Sequence, residues 1–228
     1  MGHKPSVVMH YNPRLRHQVE HAQAFAVAGI PTTTDPRVPA DVHIVSGPHY
    51  ALPYWRNHSC VIWLDRAYWG DPDYVSLGAL EPDGSRVFLT PQGERPKPKL
   101  EPWCAGEDSA LVMLDYNQDI KLAKLANRHF RDVCIRRHPA NERPIMPLDE
   151  QIALYDVAVG TSSTALVDAV IAGKPVICYR TNSPVAPVAS EFGNIKRPCR
   201  EAWLDMLSWR QFTLEEIAAG WPLEMLGL

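Results

Sequence analysis

Residues 154–180 read LYDVAVGTSSTALVDAVIAGKPVICYR, and their pattern predicts a strand, a helix and a second strand. The apolar residues 157–159 predict a short buried strand, and Gly160 allows the backbone to turn sharply after it. Apolar residues at helical spacing follow, and Gly173 predicts the end of that helix. Residues 175–179 are apolar again and predict a returning strand. A strand, helix and strand this close together predict a right-handed parallel crossover, with the turn at the carboxyl edge of the sheet.

Four hydroxyl residues fill the predicted turn: Thr161, Ser162, Ser163 and Thr164. They lie where a helix leaves its first backbone N–H groups unpaired, and helix N-termini attract anions. One hydroxyl is enough for a helix cap, so the surplus favours a site for phosphate or carboxylate. An ordinary helix cap is the alternative.

A basic segment directly follows another predicted strand, residues 132–136. It consists of Arg136, Arg137, His138 and Pro139. Because the carboxyl ends of parallel strands meet at one edge of a sheet, we expect these cations beside the hydroxyl-rich turn, on neighbouring strands. Guanidinium groups, an imidazole and a helix N-terminus together favour a diphosphate or nucleotide-phosphate site. The alternative is a solvent-exposed basic loop beside an ordinary cap.

The composition excludes several classes of protein. A hydrophobic fraction of 46% and a charged fraction of 21% are typical of a soluble folded protein, and a net charge of -3 argues against a uniformly basic nucleic-acid binder. The 5 cysteines are widely spaced without a CxxC pair, which fits a reducing, cytoplasmic compartment. No apolar run approaches the roughly 20 residues of a membrane span. The histidines lack metal-ligand spacing and the glycines form no phosphate loop, so we expect no metal and neither a kinase nor a dinucleotide enzyme.

Strands and helices alternate on both sides of a proline-rich segment, residues 94–103, which read ERPKPKLEPW. Proline at alternate positions predicts an extended linker there. The strands we expect outside residues 154–180 are 6–9, 41–46, 60–64, 110–116 and 132–136. We therefore expect an α/β chain of two small Rossmann-like lobes, residues 1–100 and 101–228, with parallel sheets that face a cleft. The C-terminal helices are expected in the second lobe.

Asp65 is the leading candidate for a catalytic group in the first lobe. It follows a buried apolar strand, and Tyr68 and Trp69 would partly desolvate its carboxyl group, raise its pKa and suit it to act as a general base. An ion pair with Arg66 or a turn cap is the alternative. His49, after a Gly-Pro turn, is the competing base.

Other polar residues also follow predicted strands and are candidates for lining the cleft. His10 and Asn12 follow the first strand of the first lobe. Asp115 and Tyr116 end the first strand of the second lobe, where they are candidates for the donor side. Structural packing is the alternative for each.

Residues 110–182 resemble the second lobe of a known class of enzymes. The resemblance rests on the His-Pro dipeptide at 138–139 and on residues 156–176, DVAVGTSSTALVDAVIAGKPV. Both are similar to motifs of the GT-B-type glycosyltransferases of bacterial surface polysaccharide, which include capsule Kdo-transferases, polysialyltransferases and CDP-glycerol glycerophosphotransferases. In those families the histidine and the Ser/Thr cluster contact the donor phosphate, which implies that role for His138, Ser162, Ser163 and Thr164. Their acidic base belongs to an E/D-D-G type motif, whereas Asp65 is followed by Arg-Ala-Tyr.

The resemblance implies a metal-independent glycosyltransferase that uses a nucleotide-sugar as co-substrate and needs no cofactor. The acceptor hydroxyl would belong to a glycan or, since the chain is short for this class, to a modified DNA base in a phage, within the host cytoplasm. Two other classes stay open: a non-catalytic nucleotide or sugar-phosphate-binding protein, and a DNA-associated accessory protein. The latter would use Arg14, Arg16, His17, Lys196 and Arg197 as a phosphate track. The oligomeric state is left open.

Overall fold

The computed structural model describes residues 5–46, 60–69, 74–80, 86–87, 93–115, 120–139, 141–161, 164–180 and 183–228. In chain order the elements are β1 (Val7–His10), α1 (Arg16–Val27), β2 (Thr32–Thr33), β3 (Val42–Ser46), β4 (Cys60–Arg66), β5 (Tyr74–Leu80), β6 (Arg86–Val87), β7 (Ser109–Met113), α2 (Ile120–His129), β8 (Asp132–Arg136), α3 (Leu148–Ala153), β9 (Val157–Gly160), α4 (Ala165–Ile171), β10 (Val176–Cys178), a 3-10 turn (Ala186–Val188), α5 (Glu201–Ser208), β11 (Gln211–Thr213), α6 (Leu214–Ala218) and α7 (Trp221–Met225). No helix within these ranges is long and apolar enough to cross a membrane.

The chain forms two compact units, one of residues 1–95 together with 205–228 and one of residues 96–204. The C-terminal residues from 205 onward therefore belong to the first unit, not to the second lobe in which the sequence predicted them. The reason is that β11 pairs antiparallel with β5, while Phe212 and Ile217 complete the apolar core of the first unit.

The first unit holds a sheet with the strand order β11-β5-β4-β3-β1-β2, and β6 pairs with β5. Strands β1 to β4 are parallel, as predicted, but β5, β6 and β11 are antiparallel additions. Helix α1 buries Phe25 and Ala22 against Met9, Ile44 and the rest of the core. Gly29 ends the α1 segment with a φ of +83°, which only glycine adopts readily.

The second unit holds a parallel sheet with the strand order β10-β9-β7-β8. The predicted parallel pairing of β9 with β10 is confirmed. Its core includes Val112 of β7, Val159 of β9 and Ala126 of α2, all at 0% exposure. The sequence predicted that β8 and β9 are neighbouring strands, and this is wrong. Strand β7 lies between them.

Residues 96–107 contain neither helix nor strand and pack along the second unit. Glu101 N–H donates to the Ile171 carbonyl at 2.9 Å, and Cys104 N–H donates to the Gly173 carbonyl at 2.7 Å. Gly173 has a φ of +76°, and a Cβ built on it would overlap the Pro102 carbonyl oxygen. A glycine is required where α4 ends because the linker passes so close to it.

Candidate functional site

The carboxyl ends of the second sheet meet at one edge, where α/β folds of this type bind their ligands. Strand β8 is followed there by Arg137 and His138, β7 by Asp115, and β9 by Thr161. Neighbouring strands are about 4.8 Å apart, so the ends of β8 and β9 are separated by roughly 10 Å. The structure therefore brings the predicted basic segment and the predicted turn to one edge, with a carboxylate between them.

The basic loop, Arg137 and His138, is exposed to solvent. Arg137 Nη1 lies 3.3 Å from Glu142 Oε2, but both side chains are about half exposed, at 51% and 56%, so this pair contributes little stability. The His138 carbonyl accepts hydrogen bonds from Asn141 N–H at 2.8 Å and Glu142 N–H at 3.2 Å. A backbone turn thus fixes a cationic loop at the edge of the sheet.

Arg136 points its guanidinium into the protein. Its Nη1 donates to the Met146 carbonyl at 3.0 Å and to Gln151 Oε1 at 2.6 Å. Gln151 is 9% exposed, and its Nε2 donates to Cys134 Sγ at 3.4 Å. Arg136 therefore anchors the chain that follows the basic loop onto α3, a role that the sequence analysis did not consider. The predicted contact of Arg136 with phosphate stays a prediction.

Of the hydroxyl-rich turn, the structure describes the two threonines, and neither caps helix α4 through its side chain. Thr164 stands at the N-cap position of α4 with helical φ and ψ of -59° and -27°, and its side chain makes no capping hydrogen bond. Thr161 is 7% exposed, and its Oγ1 donates to Asp115 Oδ2. Ser162 and Ser163 lie outside the described residues, as does Tyr116. For the two threonines, the interpretation as an ordinary cap is wrong.

Residues that carry the sequence resemblance also have structural roles. Asp156 Oδ2 accepts hydrogen bonds from Asp108 N–H at 3.1 Å, from Ser109 N–H at 3.0 Å and from Ser109 Oγ at 2.9 Å. Partial burial alone would raise the pKa of Asp156, but these hydrogen bonds outweigh it and lower the pKa below the ordinary value of 3.8. A Cβ on Gly160 would lie 3.1 Å from Leu166 Cδ1, so that position is sterically tight. These residues fix β9 in place.

Asp168 is a titratable group that the sequence analysis did not single out. It lies in the first turn of α4, and burial together with the nearby Asp149 carboxylate raises its pKa to about 6. The signal that could have found it is its place in the stretch 156–176, where an acidic residue follows the hydroxyl cluster.

Asp65 lies inside β4 and not at its end, which corrects the prediction. Strand β4 continues to Arg66 because antiparallel pairing with β5 matches Asp65 with Ser76 and Arg66 with Val75. Asp65 is half-buried. Its role as a base stays a prediction, and His49 lies outside the described residues.

Tyr68 and Trp69, which the sequence predicts to desolvate Asp65, are hydrogen-bonded through their backbone to the C-terminal segment of the first unit. Tyr68 is 8% exposed, and its N–H donates to Gln211 Oε1 at 2.9 Å. The rings of Tyr68 and Trp69 lie 6.2 Å apart. Tyr68 is therefore part of the core, whereas Trp69 is half-buried.

His10 belongs to a buried set of histidines. His10 Nε2 lies 2.9 Å from His43 Nδ1, and His21 Nδ1 lies 3.1 Å from Ser46 Oγ. Burial lowers the pKa of all three imidazoles, that of His21 to about 4. Sequence reasoning missed His21 and His43, whose only signal is their place among apolar residues.

Asn12 shapes the turn between β1 and α1. Its N–H donates to Gln18 Oε1 at 2.8 Å, and its Oδ1 accepts from Arg14 N–H at 3.0 Å. Its predicted place in a cleft stays a prediction.

Two further expectations concern DNA and metal. The guanidinium of Arg197 donates to Glu107 and to the carbonyls of residues 104–106, and Lys196 pairs with Glu191, so these cations already have protein partners.

Across the described parts of the chain, no three His, Cys, Asp or Glu side chains are grouped so as to hold a metal ion.

No protein-family model matches the sequence, and no curated protein is similar to it. Solved structures do match its fold. The chain is similar to Thermosulfurimonas dismutans KpsC, a β-Kdo 2,7 transferase, over 98% of this chain and 100% of that chain, with a TM-score of 0.59 and 11% identity. It is also similar to the β-Kdo 2,4 transferase of the same organism's KpsC, over 92% and 93% of the two chains, with a TM-score of 0.53 and 11% identity. The chain therefore has a GT-B-like fold, and the likeness reaches beyond residues 110–182, which carry the sequence resemblance.

Proposed function

We propose that this chain is a glycosyltransferase that moves a sugar from a nucleotide-sugar to an acceptor hydroxyl. The likeness in fold to two Kdo transferases over nearly the whole chain carries the proposal. A fold alone hosts many activities, so the residues at the carboxyl edge of the second sheet supply the second argument.

Arg137 and His138 are proposed to bind the donor phosphate. Both are exposed, and among the residues that the structure describes only a weak ion pair, with Glu142, engages the Arg137 guanidinium. When the bond between sugar and phosphate breaks, negative charge develops on the leaving phosphate, and a fixed cationic loop would stabilise it without a metal ion. The sequence resemblance adds Ser162, Ser163 and Thr164 to this donor site.

The acceptor hydroxyl attacks the sugar carbon as its proton passes to a base. The candidates for that base are those that the sequence predicts, Asp65 and His49. We propose a glycan as the acceptor, as for glycosyltransferases in general, since neither fold neighbour supports a modified DNA base. Kdo is the first sugar to test.

A binding screen tests the donor side. Wild-type protein is titrated calorimetrically with UDP-, CMP-, CDP- and GDP-sugars, among them a nucleotide-activated Kdo. The double variant Arg137→Ala/His138→Ala should bind the preferred donor at least tenfold more weakly, the loss of one or two charge-assisted hydrogen bonds. The matched control is His129→Ala/Arg131→Ala, an exposed His and Arg that precede β8 at its opposite end. Equal affinities for both double variants, or no donor binding to wild type, would overturn the proposal.

Turnover separates an enzyme from a binding protein. Release of free nucleotide from the preferred donor should occur with wild type and should fall in Asp65→Asn or His49→Ala while donor affinity stays unchanged. Donor binding without any nucleotide release, with glycan acceptors present, would establish the non-catalytic alternative instead.

A further inference from the structure

Asp115 and Thr161 form a hydrogen-bonded pair at the carboxyl edge of the second sheet. Thr161 has one hydroxyl proton, and its Oγ1 donates that proton to Asp115 Oδ2. An ionised carboxylate only accepts hydrogen bonds. What this pair offers to a ligand is therefore lone pairs and one negative charge.

This chemistry does not suit a phosphate. Phosphate oxygens also carry negative charge and accept hydrogen bonds, so they would meet repulsion at Asp115 and no free proton at Thr161. The sequence pattern of the turn groups Thr161 with the phosphate ligands because its partner Asp115 lies far away in the chain. The partner comes from β7, which enters the sheet between β8 and β9.

The order of groups along the edge divides it into two halves. The basic loop, Arg137 and His138, follows β8, the carboxylate of Asp115 follows β7 one strand away, and Thr161 follows β9. One strand spacing is about 4.8 Å, so the cationic half and the acceptor half can contact adjacent groups of one ligand.

We propose that Asp115 and Thr161 accept hydrogen bonds from O–H or N–H groups of the nucleotide-sugar, while its phosphate binds at Arg137 and His138. The groups bound there are hydroxyl groups of the ribose or an N–H group of the base. This assignment rests on the proposed function and makes Asp115 a residue that determines donor specificity. It removes Thr161 from the phosphate site.

The test compares the nucleotide with its phosphate alone. Wild type, Asp115→Asn and Thr161→Val are titrated with CMP, UMP and GMP, with their 2′,3′-dideoxy analogues, and with pyrophosphate. Asp115→Asn keeps the shape of the side chain and should weaken nucleotide binding tenfold or more, as expected for a lost hydrogen bond to a charged group. The same variant should bind pyrophosphate as well as wild type does, or better. Thr161→Val should act in the same direction, and Thr161→Ser, which keeps the hydroxyl, should match wild type.

The dideoxy analogues identify the group that is bound. If they bind wild type as weakly as nucleotides bind Asp115→Asn, the ribose hydroxyls are the bound groups. If they bind wild type like nucleotides, the bound group belongs to the base. A parallel loss of nucleotide and pyrophosphate affinity in Asp115→Asn, or unchanged nucleotide affinity, would overturn the assignment while the proposed function stands. Wild type that binds no nucleotide would overturn both.

Discussion

Replacement of Asp156 by alanine tests whether the residues that carry the sequence resemblance act in the fold. The Asp156 carboxylate accepts one hydrogen bond from Asp108 N–H and two from Ser109, and these bonds hold the start of β7 beside the start of β9. Both contacts lie at the amino ends of the strands, opposite the candidate site. The substitution should therefore weaken the fold and spare the binding of ligands.

The magnitude follows from the contacts. A hydrogen bond to a charged group contributes about 1.5–3 kcal/mol, and three bonds to one carboxylate are not additive. Because Asp108 is exposed and water can replace part of the loss, we expect the free energy of unfolding to fall by about 3 kcal/mol. For a chain of this size that corresponds to a Tm lower by about 6–12 °C.

The assay is thermal unfolding followed by circular dichroism, with Asp108→Ala as the control. The control removes a carboxylate near the same site, whose backbone N–H still donates to Asp156, and it should leave Tm nearly unchanged. Nucleotide titrations well below Tm should give the wild-type Kd for both variants. If Asp156→Ala keeps the wild-type Tm, or if it stays folded but loses nucleotide affinity tenfold, the structural role is refuted.

Three further predictions concern other parts of the chain. Gly173→Ala should lower the free energy of unfolding by more than about 2 kcal/mol, because a Cβ there overlaps the linker. Gly29→Ala, with a similar φ and open space around it, should cost only about 1 kcal/mol, and comparable losses would contradict the close contact of Gly173 with the linker. Burial lowers the pKa of His21 to about 4, so between pH 6.5 and pH 4 the unfolded chain takes up a proton that the folded chain does not. The unfolding free energy should therefore fall by about 2 kcal/mol between pH 7 and pH 5. A flat profile, or one unchanged in His21→Asn, would contradict this. Gln151→Leu should weaken nucleotide binding because Arg136 loses its hydrogen bond to Gln151 Oε1. Gln151→Glu keeps an acceptor and should bind nucleotide like wild type in the same titration. An equal loss of affinity in both variants would argue that Arg136 does not position the basic loop.

Local sequence patterns predicted the elements of the second unit well, because each signal is contained within a few residues. The strand at 157–160, the helix that follows and its end at Gly173 all depend on hydrophobic spacing and on glycine. The capping box of α6 is also local: Thr213 accepts from Glu216 N–H, and Glu216 accepts from Thr213 N–H.

Strand order could not be predicted in the same way. The position of β7 between β8 and β9 depends on pairing between segments far apart in sequence, and no residue of the turn at 160–164 encodes it. The omission mattered for the candidate site, because Thr161 changes its chemistry when Asp115 is its neighbour. Likewise Asp65 was placed at a strand end because its pairing with Ser76 is not visible in the local pattern.

The motif itself combined two kinds of information. Asp156 and Gly173 make close contacts inside the second unit that other residues could not make, and Gly160 lies where space is tight. Such residues identify a fold, and so they agree with the structural likeness to the Kdo transferases. Evidence for the chemistry must come from side chains at the carboxyl edge, where sequence spacing alone gives types of residue but no partners.

The discontinuous first unit has a consequence for how the chain folds as it leaves the ribosome. Residues 96–204 form a unit contiguous in sequence, so they can fold as soon as they have emerged. The sheet of residues 1–95 must wait for β11 and α6, which are translated after that whole insertion. The first unit is therefore synthesised first but completed last. Until β11 has been made, the edge of β5 that it will cover is unpaired. A chain cut short after residue 204 and released from the ribosome should resist protease in its second unit and be cleaved in its first.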